Sequence, residues 1–163
     1  MKKIIKVILI IILIVVLINS VKKSTEKIYN INKIKDTIND LKIGKIEIPS
    51  ISVNNKIISR TDSEILDQNY VGHIKESSLN FDETIILAGH NNKAVFKNLK
   101  YLKKNDEIFL TIKNESKKYC VLNNIEIDKL DYTYFKNIKN TLILITCTNN
   151  KNKRLIIISK ICV

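Results

Sequence analysis

The sequence predicts an all-β domain, either a barrel or a sandwich, that follows an apolar N-terminal segment. From residue 44 onward, short runs rich in β-branched residues alternate with polar gaps. Gly tolerates positive φ best, and Asn is the usual substitute for it. Because this chain has only 3 Gly and 1 Pro, we expect Asn at its tight turns. Four Asn pairs in the polar gaps are therefore predicted turns: Asn54-Asn55, Asn91-Asn92, Asn123-Asn124 and Asn149-Asn150.

Residues 1–21 are predicted to form an N-terminal transmembrane helix. Three lysines precede an unbroken apolar run over residues 7–18, and Ile4, Ile5 and Val21 extend it to a near-spanning length. We favour an uncleaved signal anchor over a cleaved signal peptide, because the run is not followed by the small residues of a cleavage site. Positive charge before the run predicts a single-pass protein of the cell membrane, with a cytoplasmic N-terminus and the rest extracellular.

Residues 22–43 are predicted to form a helical stalk between the anchor and the β domain. Apolar residues recur there in steps of three and four, which is typical of an amphipathic helix: Ile28, Ile31, Ile34, Ile38 and Leu41. Gly44 is a suitable stop for that helix.

The β domain is predicted to span residues 44–163. Runs with the composition of strands lie at residues 45–48, 83–88, 107–112, 118–122, 125–127, 141–146 and 155–160. We expect one or two helical turns over residues 94–102, where four apolar side chains share a face: Val95, Phe96, Leu99 and Leu102.

Charge and cysteine spacing limit the classes of function. The formal net charge is +12, but the lysines are spread along the chain without a dense block beside aromatic residues, which argues against nucleic acid. Attraction to an anionic wall or membrane stays open. The cysteines, Cys120, Cys147 and Cys162, form no CxxC pair or His/Cys cluster, which argues against a structural zinc site. We expect no metal and no cofactor. An odd number of extracellular cysteines leaves one thiol unpaired unless another chain supplies a partner.

Cys147 and Arg154 lie at facing ends of two predicted strands, in LILITCTNNKNKRLIIIS. If the strands form a hairpin, the two side chains stand side by side at one rim. A guanidinium beside a thiol favours the thiolate and supplies fixed donors for an oxyanion. Arg60 is the only other arginine in a chain that otherwise uses lysine for positive charge. An arginine at position 154 therefore indicates a need for planar guanidinium donors there.

His90 follows another predicted strand, in ETIILAGHNN. A histidine at a strand end has the chemistry of a general acid and base toward a neighbouring cysteine. Spacing alone is a weak signal for this pairing, because a distant Cys and His occur in many proteins without a catalytic role.

The segments LAGH and LITC, with Arg154 close behind, resemble the signature of the sortase family. The resemblance runs from about residue 44 to 161 and includes GKIEIPSISVNNKI, YVGHIKESSLNFDETIILAGH, VFKNLKYLKKNDEIFLTI and KKYCVLNNIEI. It implies a closed β-barrel of about eight strands with one or two short helices. It also implies that Cys147 is the nucleophile, His90 the acid and base, and Arg154 the oxyanion-stabilising group.

The resemblance further implies a cysteine transpeptidase that acts on proteins with an LPxTG-like sorting signal. Such an enzyme cleaves between Thr and Gly through an acyl-thioester and transfers the protein to an amine of a peptidoglycan precursor. Three residues beside the catalytic ones are expected to bind this substrate: Ala88, Gly89 and Thr146. The alternatives are a sortase that polymerises pilins through a lysine amine, and a non-catalytic extracellular binding module with a buried, inert Cys147.

Other positions match the family without a catalytic role, or depart from its pattern. His73 aligns with a non-catalytic histidine, and Ile143 replaces the Thr that usually stands four residues before the cysteine. Cys120 and Cys162 match no family role; we interpret both as small strand residues, with a disulfide between them as the alternative. The compact size and the lack of a C-terminal extension resemble class D or class A, and we favour class D.

Overall fold

The computed structural model describes residues 2–128, 135, 138–150 and 152–162. Part of the predicted anchor lies outside this description. It comprises Met1 and, although their backbone is described, the side chains of residues 2, 3 and 5–10. The chain divides into two compact units, Met1–Asp40 and Leu41–Val163. The first is almost entirely one helix, and the second contains the β domain.

Helix α1 (Lys2–Leu41) is continuous and includes most of the predicted anchor and of the predicted stalk. The eight side chains of residues 11–18 are all apolar and are 48% to 60% exposed. In the part of the chain that the structure describes, no helix has a stretch long and apolar enough to cross a membrane. The predicted stop at Gly44 is wrong, because strand β1 begins at Lys42 and includes this glycine.

The second unit is a closed barrel of eight strands, as predicted. Around the barrel the strands follow the order β1-β2-β3-β4-β7-β8-β6-β5, and β2–β3 and β4–β7 are the parallel pairs. A single helical turn, α2 (Ser63–Leu66), lies between β2 and β3. The strands are β1 (Lys42–Ile48), β2 (Val53–Ile58), β3 (Val71–His73), β4 (Thr84–Ala88), β5 (Glu107–Ile112), β6 (Glu115–Ile127), β7 (Thr141–Cys147) and β8 (Arg154–Ile161).

Strand β7 is buried on both of its faces until its last residue. Leu142 and Leu144 point into the main core inside the barrel, whereas Ile143 and Ile145 pack in a second cluster that includes Phe135. A fully buried side chain of this size contributes about 1.5–3 kcal/mol. This burial fixes the position of the end of β7, where Cys147 lies. Ile143, which replaces the Thr usual in the sortase pattern, is completely buried.

Two of the four predicted Asn turns are wrong. Asn54-Asn55 lies within β2, and Asn123-Asn124 lies within β6, which continues past a register shift between Val121 and Asn123. Such a bulge inserts an extra residue without ending the strand. Positive φ occurs instead at single residues: Ser52, Asn69, Asn105, Lys113 and Asn140.

The structure has one helical turn in the range where one or two were predicted, residues 94–102: a 3-10 helix, Leu99–Tyr101, which follows a series of tight turns. The predicted apolar face is buried: Val95, Phe96, Leu99 and Leu102 all join the main core. The spacing of these residues therefore predicted both their burial and a helical turn.

Cys120 and Cys162 form a disulfide, so the favoured interpretation of both as small strand residues is wrong and its alternative is correct. Cys120 lies in β6 opposite Lys160 of β8, and Cys162 follows two residues later. The backbone N–H of Cys162 donates to the carbonyl oxygen of Lys118 at 3.0 Å. This continued strand pairing brings the two Cα atoms to 5.2 Å, which is within bridging range.

Candidate active site

Cys147 and Arg154 face each other as the last residue pair of the antiparallel strands β7 and β8. The predicted hairpin is therefore confirmed. The six residues before Cys147 are buried, whereas Cys147 itself is exposed and carries a free thiol. Arg154 is half-buried, and its Nη1 donates to the carbonyl oxygen of Lys153 at 3.0 Å.

The connection between β7 and β8 is held by its own short-range hydrogen bonds. Thr148 Oγ1 donates to the carbonyl oxygen of Asn150 at 2.9 Å and accepts from the Asn150 N–H at 3.1 Å. The Lys153 N–H donates to the same Asn150 carbonyl at 2.9 Å. These bonds order the backbone on either side of Lys151, which lies outside the described residues.

His90 is positioned by the parallel pairing of β4 with β7. Ala88 is level with Ile145, and the Gly89 N–H donates to the Ile145 carbonyl at 3.1 Å. Thr146 Oγ1 then donates to the Gly89 carbonyl at 2.8 Å. The next residues on the two strands are His90 and Cys147, so the structure brings His90, Cys147 and Arg154 to one end of three adjacent strands.

Gly89 is required by close packing beneath the His90 loop. A Cβ at this position would lie 2.6 Å from Val95 Cγ1 and 2.8 Å from Phe96 Cδ2. The backbone N–H groups of Asn92 and Phe96 both donate to the His90 carbonyl, at 2.9 Å and 3.1 Å. The loop after β4 is thus folded tightly around the backbone of His90.

The three predicted substrate-binding residues all lie at this site. Thr146 is buried and lines the cleft beside Cys147, but its hydroxyl hydrogen is already donated to Gly89. Gly89 is buried, and Ala88 is half-buried against the smaller apolar cluster. Their packing roles are visible in the structure, and their contact with a substrate stays a prediction.

A cleft of about 500 Å³ opens at Cys147 between the β7–β8 connection, the loop after His90 and the end of β6. Its walls carry several Asn and Thr side chains together with Lys97, Lys100 and Glu126. The cleft is therefore polar, with two positive charges and one negative charge. An extended peptide backbone requires hydrogen-bonding groups of this kind.

Asp67 is a site residue that the sequence did not reveal. Its Oδ1 lies 3.0 Å from His90 Nε2, and the two side chains are 67% and 39% exposed. Asp67 belongs to the turn after α2, 23 residues before His90. No motif surrounds it in EILDQNY, so only the folded arrangement of the two loops shows the pairing.

His73 is buried away from this site, in agreement with its predicted non-catalytic role. Its Nε2 lies 3.0 Å from both the Ser78 carbonyl oxygen and Ser77 Oγ. Burial lowers the pKa of His73 below its ordinary value, although the hydrogen bonds to Ser78 and Ser77 and the charge of Glu76 oppose that shift. His73 is therefore a neutral hydrogen-bonding residue of the barrel.

An exposed cysteine, an arginine and a histidine at one end of a closed barrel define the class of a cysteine enzyme that acts on acyl groups. The family profile described as "Sortase domain" matches residues 46–161, which is more than half of the chain. The chain belongs to the sortase family and is a cysteine transpeptidase.

Similar proteins agree with this assignment. Sortase D of Bacillus subtilis (strain 168) is 31% identical over 151 residues, which cover 87% of this chain and 74% of that protein. The crystal structure of sortase C1 from Streptococcus agalactiae has a TM-score of 0.69 at 26% identity, covering 76% of this chain and 68% of that one. Sortase C-1 from Actinomyces oris has a TM-score of 0.66 at 28% identity, with coverages of 74% and 73%.

Proposed function

We propose that this sortase cleaves an LPxTG-like sorting signal between Thr and Gly and transfers the protein to an amine of the cell wall. The observation that carries the proposal is the free, exposed Cys147 directly opposite Arg154 at the end of β7 and β8. The parallel pairing that leads to His90 supplies the third group.

In the first half-reaction, the Cys147 sulfur attacks the carbonyl carbon of the signal's Thr. Negative charge develops on the carbonyl oxygen, where the guanidinium of Arg154 stabilises it. The C–N bond to Gly then breaks, and protonated His90 gives its proton to the leaving amine. The product of this step is an acyl-thioester on Cys147.

In the second half-reaction, an acceptor amine attacks the thioester carbon. His90 takes the proton from that amine, the C–S bond breaks, and the Cys147 thiolate is released. The same three residues act in reverse order, so no cofactor or redox step is needed. The polar cleft beside Cys147 offers a route for the acceptor, since Lys97, Lys100 and Glu126 line it.

The acceptor is proposed to be a peptidoglycan-precursor amine rather than a pilin lysine. Similarity to Sortase D supports a class D-like enzyme, whereas two of the solved neighbours are described as a pilus-related sortase C and a sortase C with pilin substrate specificity. These two are 24% and 22% identical to this chain and therefore support only the shared fold.

The proposal also anchors the chain in the cell membrane by its N-terminal helix, with the barrel outside the cell. The three lysines ahead of the apolar run support this orientation. The exposed apolar side chains of residues 11–18 favour an apolar environment. The disulfide between Cys120 and Cys162 supports an oxidising, extracytoplasmic compartment for the barrel.

Mass spectrometry of the full chain tests this function most directly. The detergent-solubilised protein is mixed with a library of LPxTG-like peptides, together with either an amine of the peptidoglycan-stem type or a lysine-bearing pilin peptide. We expect an acyl adduct on Cys147 that is absent from Cys147→Ala, and transfer to the first acceptor.

The two parts of the proposal fail in different ways. Folded protein with a free Cys147 thiol that forms no adduct with any peptide would contradict the LPxTG-like substrate. An adduct that is released only by the lysine-bearing peptide would retain the chemistry and replace the wall acceptor with a pilin.

A further inference from the structure

A carboxylate outside the three catalytic residues contacts the ring of His90. Asp67 Oδ1 lies 3.0 Å from Nε2, a normal hydrogen-bond distance. An ionised carboxylate only accepts hydrogen bonds, so Nε2 must carry the hydrogen for this contact to be attractive. A neutral His90 in this arrangement has no hydrogen on Nδ1.

We propose that Asp67 is a positioning residue that fixes His90 in the Nε2–H form and leaves Nδ1 to exchange the proton with substrates. The inference deepens the proposed function and rests on the assignment of His90 as the acid and base of that reaction. Asp67 does not touch the reacting atoms and acts through the histidine ring.

The backbone around Asp67 holds its carboxylate in place. Its N–H donates to the Ser63 carbonyl at 2.9 Å, closing the turn of α2. Two residues later, Asn69 adopts a left-handed conformation with φ of 64° and donates its N–H to the Leu66 carbonyl at 2.9 Å. Asp67 therefore lies in a turn whose backbone is fixed by two hydrogen bonds.

A second contact joins the turn of Asp67 to the loop of His90. Asn92 Nδ2 donates to Asn69 Oδ1 at 2.8 Å. The Oδ1 of Asn92 in turn accepts the N–H groups of Ala94 and Val95, both at 3.0 Å. Two contacts therefore join the two loops, Asp67–His90 and Asn69–Asn92. Together they set the distance and angle between the carboxylate and the imidazole.

The chemical consequence is a histidine that is oriented before substrate arrives. The imidazolium form of His90 also keeps its Nε2–H on Asp67, so the same contact serves both proton transfers. Because both side chains are substantially exposed, water screens the pair and its effect is modest, on the order of a fivefold change in rate. We expect the effect on kcat, since Asp67 is not among the residues that line the cleft beside Cys147.

Nuclear magnetic resonance measures the His90 tautomer without any assay of activity. The chain contains two histidines, so the full chain labelled with ¹⁵N-histidine in detergent gives two ring systems. His90→Gln assigns them. For the neutral ring, recorded where the spectra no longer change as the pH is raised, we expect His90 in the Nε2–H form in wild type and a mixture of tautomers in Asp67→Ala. The unchanged His73 signals show that the variant is folded.

Kinetics on the same proteins supply the second readout. We expect Asp67→Ala to lower kcat about fivefold at unchanged KM for the sorting peptide, and Asp67→Glu to recover part of the loss. Asp128→Ala is the matched control: it removes a carboxylate that is 87% exposed and lies 3.8 Å from Lys153 Nζ. This control should keep the wild-type kcat.

The inference is overturned if His90 of the wild type is a tautomer mixture or carries its hydrogen on Nδ1. It is also overturned if Asp67→Ala leaves both the spectrum and kcat unchanged, or lowers kcat no more than Asp128→Ala. These outcomes differ from a failure of the proposed function, in which wild type itself forms no Cys147 adduct whatever the tautomer of His90.

Discussion

Arg154 and Arg60 are the two arginines of the chain, and they have different surroundings. Arg154 faces Cys147 across β7 and β8, whereas Arg60 lies in the connection after β2, with its Nε 2.7 Å from Asp62 Oδ2. Replacing each arginine by lysine keeps the positive charge but removes the planar set of guanidinium donors. A loss of activity at position 154 alone would therefore measure what those donors contribute beside Cys147.

We predict that Arg154→Lys lowers kcat/KM of transpeptidation by about 10²-fold, the typical cost of losing an oxyanion donor. Arg60→Lys is the matched control and should stay close to wild type. Steady-state kinetics with the best LPxTG-like peptide checks both variants, and thermal unfolding confirms their folding. Equal activity of Arg154→Lys and wild type would remove Arg154 from its proposed role.

His73 makes stability depend on pH. Because burial lowers the pKa of His73 below its ordinary value of 6.5, the unfolded chain binds this proton at a higher pH than the folded chain does. The stability associated with neutral His73 is therefore fully present above about pH 6.5 and is lost as the pH falls below it.

We predict that wild type loses more thermal stability between about pH 7.5 and about pH 5.5 than His73→Gln does, because glutamine takes up no proton in this window. Lys75→Gln, a substitution at an exposed neighbour, should keep the wild-type dependence. Calorimetry across this range measures all three proteins. Parallel curves for wild type and His73→Gln would refute the assignment of the pH dependence to His73.

The sequence predicted the residues at strand ends better than those held by loops. Cys147 and Arg154 follow from one hairpin, and His90 follows from a strand whose end is marked by Gly89. Asp67 was missed because its contact with His90 joins two turns whose relative placement depends on the whole barrel. Local pattern carries no information about that placement.

At the scale of elements, β5, β7 and β8 were predicted nearly to the residue because each combines a compact apolar run with clear polar flanks. Strand β6 was divided in two by the prediction because its Asn123-Asn124 pair has the composition of a turn. The hydrogen bonds that β8 offers along its whole length outweigh that local preference. The bulge after Val121 absorbs the extra residue.

The disulfide joins β6 to the end of β8 and closes a sequence separation of 42 residues. In the chain-entropy model, a loop of this size corresponds to about 4 kcal/mol of stabilisation. We predict that Cys120→Ser/Cys162→Ser lowers the free energy of unfolding by up to this amount. Urea unfolding in a Cys147→Ala background measures the change without thiol exchange.

Reduction provides the control for that measurement. Dithiothreitol should destabilise the Cys147→Ala protein and have no effect once Cys120 and Cys162 are both serine. Because Cys162 follows the end of β8 that is opposite to Arg154, the disulfide lies away from the site at Cys147, and reduced wild type at low temperature should keep its transpeptidase activity. Full stability after reduction would contradict a role of the bond in holding the barrel.

Composition and strand spacing predicted an all-β domain but not the order of its strands. The parallel pair β4–β7, which places His90 beside Cys147, joins strands that are separated in sequence by β5 and β6. Only the resemblance to sortases implied a closed barrel, since the spacing of the strands was compatible with either a barrel or a sandwich. The topology of the site is therefore a property of the complete barrel.

The Cys147 thiol can report on which side of the membrane the barrel lies. With Cys120 and Cys162 in the disulfide, Cys147 carries the one free thiol of the chain. If α1 anchors the chain with the barrel outside, a membrane-impermeant maleimide should label wild type in intact cells and should not label Cys147→Ala. Leu13→Lys/Val16→Lys should abolish this surface labelling, because each lysine in the apolar run costs about 2.5–3.5 kcal/mol of membrane insertion. Labelling that appears only after the cells are lysed would place the barrel in the cytoplasm and contradict the proposed anchor orientation.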